Sequence, residues 1–198
     1  MENIRSGQMR LVEEPKKPLS MHPKKFAMWL FLASVVMLFA AWTSAYIVRR
    51  ADGNWQIFDL PSMFYITSLI VIFSSITMHL GYQSAKLNNP EKVKTWVTVT
   101  AGLGFLFLAG QLIGWQQLVS NQIHFSGGNP SASFVYVLSG MHGVHLISAV
   151  VFLAIVWNSA RKLKINSKNL AQIEMCATYW HFLGGLWLYL FGFLLYFR

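Results

Sequence analysis

Five runs without Asp, Glu, Lys or Arg, each more than twenty residues long, constrain this chain more than any other feature. They cover residues 26–48, 63–85, 95–119, 133–157 and 175–197. At about 1.5 Å per helical residue, each is long enough to cross a bilayer core of roughly 30 Å. Backbone amides in hydrocarbon must be bonded within their own segment, so runs of this kind are helices. Their apolarity is continuous rather than alternating, which excludes barrel strands. The expected fold is an all-α membrane protein with five transmembrane helices. The helix-start signal "DLPS" precedes the second run, and the turn-rich "SGGNPSAS" precedes the fourth. Residues 1–25 read as a flexible basic tail before a single domain, 26–198. Prolines at 15, 18 and 23 interrupt the tail, and the first apolar run exceeds a signal-peptide core, so no signal peptide is expected.

The charges fit the same picture. Only 12% of residues are charged, against roughly 25% in soluble domains. The net charge of +9 sits in short segments between apolar runs, which is a topology signal rather than a nucleic-acid face. Thirteen Lys and Arg residues fall in the tail and the second and fourth connections, against three on the opposite side. The positive-inside bias therefore predicts an N-in/C-out chain. Of seven acidic residues, only Glu174 lies close to a span. No carboxylate lies deep in the membrane, which argues against an independent proton or ion pump. The single cysteine, Cys176, excludes an internal disulfide and a CxxC site, and its apolar setting suits a packed thiol.

Imidazoles are costly to place in hydrocarbon, yet "SGMHGVH" sets His142 and His145 in the fourth span, and "ATYWHFLGGLW" sets His181 in the fifth. The helical rise puts His145 roughly 18 Å from the outer edge and His181 about 20 Å from it, so the two lie at similar depth on adjacent antiparallel helices, where they could meet directly or through a water. As neutral rings they would satisfy each other's donor and acceptor. Three readings compete: interhelical hydrogen bonding, a bis-His haem, and a metal site of three or four ligands. The first is preferred, because one histidine is left over from a haem pair and no carboxylate or thiol lies at that depth. Gln111, Gln116 and Gln117 read as interhelical hydrogen-bonding groups rather than a polar path. The eight tryptophans read mostly as an aromatic belt with lipid contact. Gly110 and Gly114 form a GxxxG arrangement suited to close helix packing.

The stretches "SFVYVLSGMHGVHLISAVVFLAIV" and "IEMCATYWHFLGGLWLYLF" resemble subunit III of the haem–copper oxidases. The penultimate helix of that family has a G-[FM]-H-G-x-H core, similar to Gly140–His145. The last has a glutamate, a Y-W-H-F block and W-L, similar to Glu174, Tyr179–Phe182, Trp187 and Leu188. The likeness extends more loosely over residues 24–198 and matches the five-helix bacterial form, which lacks the first two of seven helices. It implies a non-catalytic subunit of a cytochrome c oxidase, or of a related quinol oxidase, in the bacterial cytoplasmic membrane. Oxygen reduction and proton pumping belong to the complex. Haem and copper would sit in partner subunits, with no cofactor in this chain except bound phospholipid. Subunit I would be the direct partner, with subunit II and small subunits or a larger respiratory supercomplex beyond it. The resemblance makes His142, His145, His181, Glu174 and Gln111 structural polar groups. Trp180, Arg161, Lys162 and Lys164 are candidate lipid contacts. An accessory subunit of nitric oxide reductase is a second reading within the family. A stand-alone di-haem cytochrome is the alternative of another class.

The chain departs from the family at three positions. Val35, Gly114 and Gly184 stand where many members carry carboxylates. A proton-antenna role through those groups is therefore not carried over.

Overall fold

The computed structural model describes residues 23–53, 55–125, 130–162 and 170–197. Residues 1–22 of the expected tail, and Lys164, lie outside them. Every element among the described residues is an α-helix: α1 (Pro23–Ala51), α2 (Ser62–Lys86), α3 (Pro90–Ser120), α4 (Pro130–Arg161) and α5 (Ala171–Phe197). All five are long and apolar enough to span a membrane.

Most helices outrun their apolar runs because the added turns hold polar and charged residues that hydropathy reads as connection. Pro23, Lys24 and Lys25, expected in the tail, form the first turn of α1. A proline is tolerated there because its missing N–H would have no intrahelical acceptor. The α2–α3 connection is a Schellman turn. Asn88 takes the left-handed conformation (φ 58°), its N–H bonds to Ala85 O (3.2 Å), and Asn89 N–H reaches Ser84 O (3.1 Å). Asn89 then caps α3, its side chain accepting from Lys92 N–H at 3.4 Å, with Pro90 in the first turn. The end of α3 repeats the device: Gln122 has φ 63°, and Ile123 N–H reaches Leu118 O at 3.0 Å.

Helices α2, α3, α4 and α5 close into a ring, α2 packing on α3 and α5, and α4 packing on the same two. α1 stands outside this ring and touches only α4 and α5. Two devices seat it. At one end Lys25 Nζ lies 2.7 Å from Glu174 Oε2 at the start of α5. At the other, Tyr46 packs edge-on against Trp55, Phe134 and Phe193, and its hydroxyl donates to Phe197 O at 3.3 Å. The outward surface is apolar, with Met37, Phe105 and Val144 all more than half exposed. A helix that is apolar on all sides has found its solvent in lipid.

Close packing comes from glycine where α2 meets α3. A Cβ on Gly114 would lie 2.7 Å from Phe64 Cε1, and one on Gly110 would enter the envelope of Thr67 Cγ2. The GxxxG arrangement thus serves the bundle itself, letting two backbones approach where larger residues would hold them apart.

Candidate functional site

The buried polar groups are organised around α2. The segment "TSLIVIFSSIT" (67–77) carries hydroxyls at 67, 68, 74, 75 and 77. Spacings of seven return these residues to nearly the same helical face. Each meets a polar side chain of a neighbouring helix. Thr67 Oγ1 accepts from Gln111 Nε2 of α3 at 3.1 Å. Ser68 Oγ accepts from Trp187 Nε1 of α5 at 3.0 Å, and Ser74 Oγ from Trp180 Nε1 at 3.2 Å. Ser75 Oγ bonds His181 Nδ1, and Thr77 Oγ1 pairs with Thr100 Oγ1 of α3 at 2.8 Å. Thr67, Ser68 and Ser74 also donate to carbonyls of their own helix. Each is therefore satisfied twice, as a polar group in an apolar medium must be. This hydroxyl ladder is the main polar feature of the core. Its signal in the sequence is a helical period of Ser and Thr in α2.

The three histidines do not converge. The pairing of His145 with His181 that their similar depth allows is not formed, and each takes another partner. His145 Nδ1–H donates to Met141 O of its own helix at 2.7 Å, and its ring packs on Phe39 of α1, centroids 5.7 Å apart. His181 faces α2, bonded to Ser75 and 6.3 Å from the ring of His79. The reason is helical phase. Tyr179 of α5 binds the α4 side, its hydroxyl donating to His145 O at 3.2 Å and pairing with Ser148 Oγ at 2.7 Å. A step of two residues turns a helix by about 200°, so His181 must point away from α4. His142 is fully buried between Phe107 and Trp187, with centroids at 5.7 and 5.2 Å. Neither of its ring nitrogens has a hydrogen-bond partner among the described residues. The expected interhelical bond is thus absent for His142, while Gln111 makes one. Among the described residues no group of three or more His, Cys, Asp or Glu side chains is placed to hold a metal ion.

Trp180 requires a second correction. Expected at the lipid surface, it is 3% exposed. Its indole lies over Gly104, where an added Cβ would come within 2.8 Å of Cη2. Trp187 is likewise enclosed, fully buried against Phe64 and Phe107. A tryptophan whose N–H has a hydroxyl partner and whose ring faces a glycine belongs inside, wherever it falls along the span. Arg161 and Lys162 are exposed at the end of α4.

The three departures are all packing positions. Val35 is 2% exposed, Gly114 lies against Phe64, and a Cβ on Gly184 would sit 3.2 Å from Val71. Glu174 ties α5 to α1 through Lys25, but both side chains are about one-third exposed. Glu174→Gln is therefore expected to lower stability by less than about 1 kcal/mol, with the difference shrinking in high salt. Unfolding in mixed micelles at two ionic strengths checks this. A larger, salt-independent loss would mean that the pair is the main fastening of α1.

Between α1 and α5 lies an open apolar groove of about 440 Å³, lined by Val36, Phe39, Phe182, Leu186 and others, with His181 and Tyr189 on its wall.

Comparison with known proteins bears on all of this. The family model for cytochrome c oxidase subunit III matches residues 17–198, which takes in all five helices. A cytochrome c oxidase subunit 3 from Synechocystis sp. is 29% identical, the alignment covering 86% of this chain and 75% of that protein. Its counterpart from Thermostichus vulcanus is 28% identical, with 86% of each chain covered. A probable quinol oxidase subunit 3 from Staphylococcus saprophyticus is 22% identical over 84% of this chain and 85% of its own length. The match runs unbroken through the helices that carry both histidine motifs and the hydroxyl ladder, and the chain belongs to the cytochrome c oxidase subunit III family of haem–copper oxidase subunits.

Proposed function

We propose that this chain is the non-catalytic third subunit of a proton-pumping terminal oxidase in a bacterial cytoplasmic membrane. It binds subunit I laterally, within a complex containing subunit II and any smaller subunits or supercomplex partners, and steadies that complex during turnover. The observation that carries this reading is the family match over the whole bundle. The internal polar groups support it: all five bridging hydroxyls of α2 join helix to helix, through Gln111, Trp187, Trp180, His181 and Thr100. The N-terminus faces the cytoplasm and the C-terminus the periplasm, a reading that the distribution of basic residues supports. The electron donor is fixed in another subunit, and relatives named for cytochrome c and for quinol oxidases both align. The α1–α5 groove suits the acyl chain of a bound phospholipid.

The test is a reduced-minus-oxidised spectrum of the tagged chain purified from native membranes in mild detergent. An oxidase haem signal that vanishes when partners are stripped away is expected. A b-type signal that stays with the isolated chain would favour the di-haem cytochrome and sink the proposal. The variant His145→Gln should leave haem per complex unchanged and weaken retention of the subunit.

A further inference from the structure

Inside the four-helix ring, His142 borders a small interior cavity. Every helix of the ring contributes to its wall: Ser74 from α2, Gly104 from α3, His142 from α4, and Trp180 and Gly184 from α5. About 10 Å³ of it is open to the centre of a water molecule, which is room for one. His142 is fully buried, and both of its ring nitrogens lack a partner among the described residues. An imidazole left in that state bears the desolvation of two polar atoms with no return. Ser74, on the same wall, has bonding capacity to spare. Its hydroxyl donates to Val71 O at 2.9 Å and accepts from Trp180 Nε1 at 3.2 Å. A hydroxyl oxygen can accept twice, so one lone pair remains. Helices α2 and α4 lie opposite each other in the ring and do not pack together directly.

We propose that this cavity is a binding site for one water molecule, which bridges His142 of α4 to Ser74 of α2 and acts as a strut across the ring. One O–H of the water donates to the unprotonated nitrogen of His142, the other to the free lone pair of Ser74. The tautomer follows from the surroundings. The second nitrogen lies among the rings of Phe107 and Trp187, whose centroids are 5.7 and 5.2 Å from that of His142. The negative face of an aromatic ring accepts an N–H weakly and repels a bare lone pair, so the proton sits on that nitrogen and the lone pair faces the cavity. Two polar partners are the fewest that hold a buried water, whereas an apolar cavity stays dry. Size and charge exclude other occupants. Haem needs many times this volume, and a cation would find no carboxylate or thiolate on the wall among the described residues. A water-mediated bond of this kind is nearly as good as a direct one, and it gives His142 the interhelical link that no side chain supplies.

The test is magic-angle-spinning NMR of the full chain, carrying nitrogen-15-labelled histidine, in phosphatidylcholine nanodiscs. The His142 signals are identified by their loss in His142→Phe. The wild type is expected to show a neutral His142 ring whose unprotonated nitrogen has a cross peak to a bound water. Ser74→Ala removes the far partner and should weaken that cross peak roughly tenfold. Gly184→Ala adds a methyl at the cavity wall and should expel the water and erase the peak. Its Cβ would meet Val71 Cγ1 at 3.2 Å, a contact that a small shift of the valine relieves. A wild-type His142 with no water cross peak, with a direct bond from another side chain, or with both nitrogens protonated would overturn the site. So would a cross peak of unchanged strength in either variant. The wild-type spectrum decides the matter even where a variant fails to fold.

Discussion

Gly110→Leu is expected to abolish the native seam between α2 and α3. A Cβ alone would enter the space of Thr67 Cγ2, and the rest of a leucine has nowhere to go. Thr67 cannot simply rotate away, because its hydroxyl is held by Phe64 O and receives Gln111. The helices must separate, and Gln111, 3% exposed, then loses its partner. Overpacking costs roughly 1–3 kcal/mol and an orphaned buried amide about as much again, which together threaten the whole margin of a protein this size. Unfolding in mixed micelles, followed by tryptophan fluorescence, should show the native transition lost or shifted by several kcal/mol. Gly102→Leu, at an exposed position of the same helix with open space around it, is the control. Equal behaviour of the two variants would show that close backbone approach is not what holds α2 to α3.

Trp187→Ala should cost about 3 kcal/mol. Trp187 is fully buried, packs edge-on against Phe64 and Phe107, lies beside His142 and donates to Ser68. The expected loss falls at the low end of the range known for tryptophan in aqueous cores. The unfolded helices remain in an apolar medium, so the transfer contribution is small and the cavity and lost contacts dominate. Trp187→Phe keeps most of the volume and loses only the hydrogen bond, for about 1 kcal/mol or less. The gap between the two variants, read in one micellar titration, measures packing against hydrogen bonding. Equal losses would mean that the indole N–H, not the ring, is what matters at this position.

The sequence exposes the solvent-facing half of this fold and hides the inward half. Five helices follow from uninterrupted apolar length, because lipid allows little else at that length. Which residues face inward does not follow, because the usual contrast between wet and dry faces is missing. Trp180 and Met37 are both apolar residues within spans, yet one is 3% exposed and the other 72%. Helical rise assigns His145 and His181 similar depths, but depth says nothing of rotation about the axis. The two-residue offset between Tyr179 and His181 decided the matter. Interior faces were marked instead by small and hydroxylated residues: Gly104, Gly110 and Gly114 on α3, and Thr67, Ser68 and Ser74 on α2. That pattern recurs at helical spacing and is the better guide in apolar surroundings.

The placement of α1 also orders events during synthesis. The α2–α3 pair is joined by a three-residue turn and can zip together as soon as both segments leave the ribosome. α1 emerges first, but its fastenings come last. Lys25 waits 149 residues for Glu174, and Tyr46 waits 151 for Phe197. Until the C-terminal helix is inserted, α1 can rest on α4 alone, through Phe39 against His145 and Tyr46 against Phe134. A ribosome stalled before residue 171 would leave α1 without its ion pair and the ring unfinished, a state that quality control can tell from the finished protein.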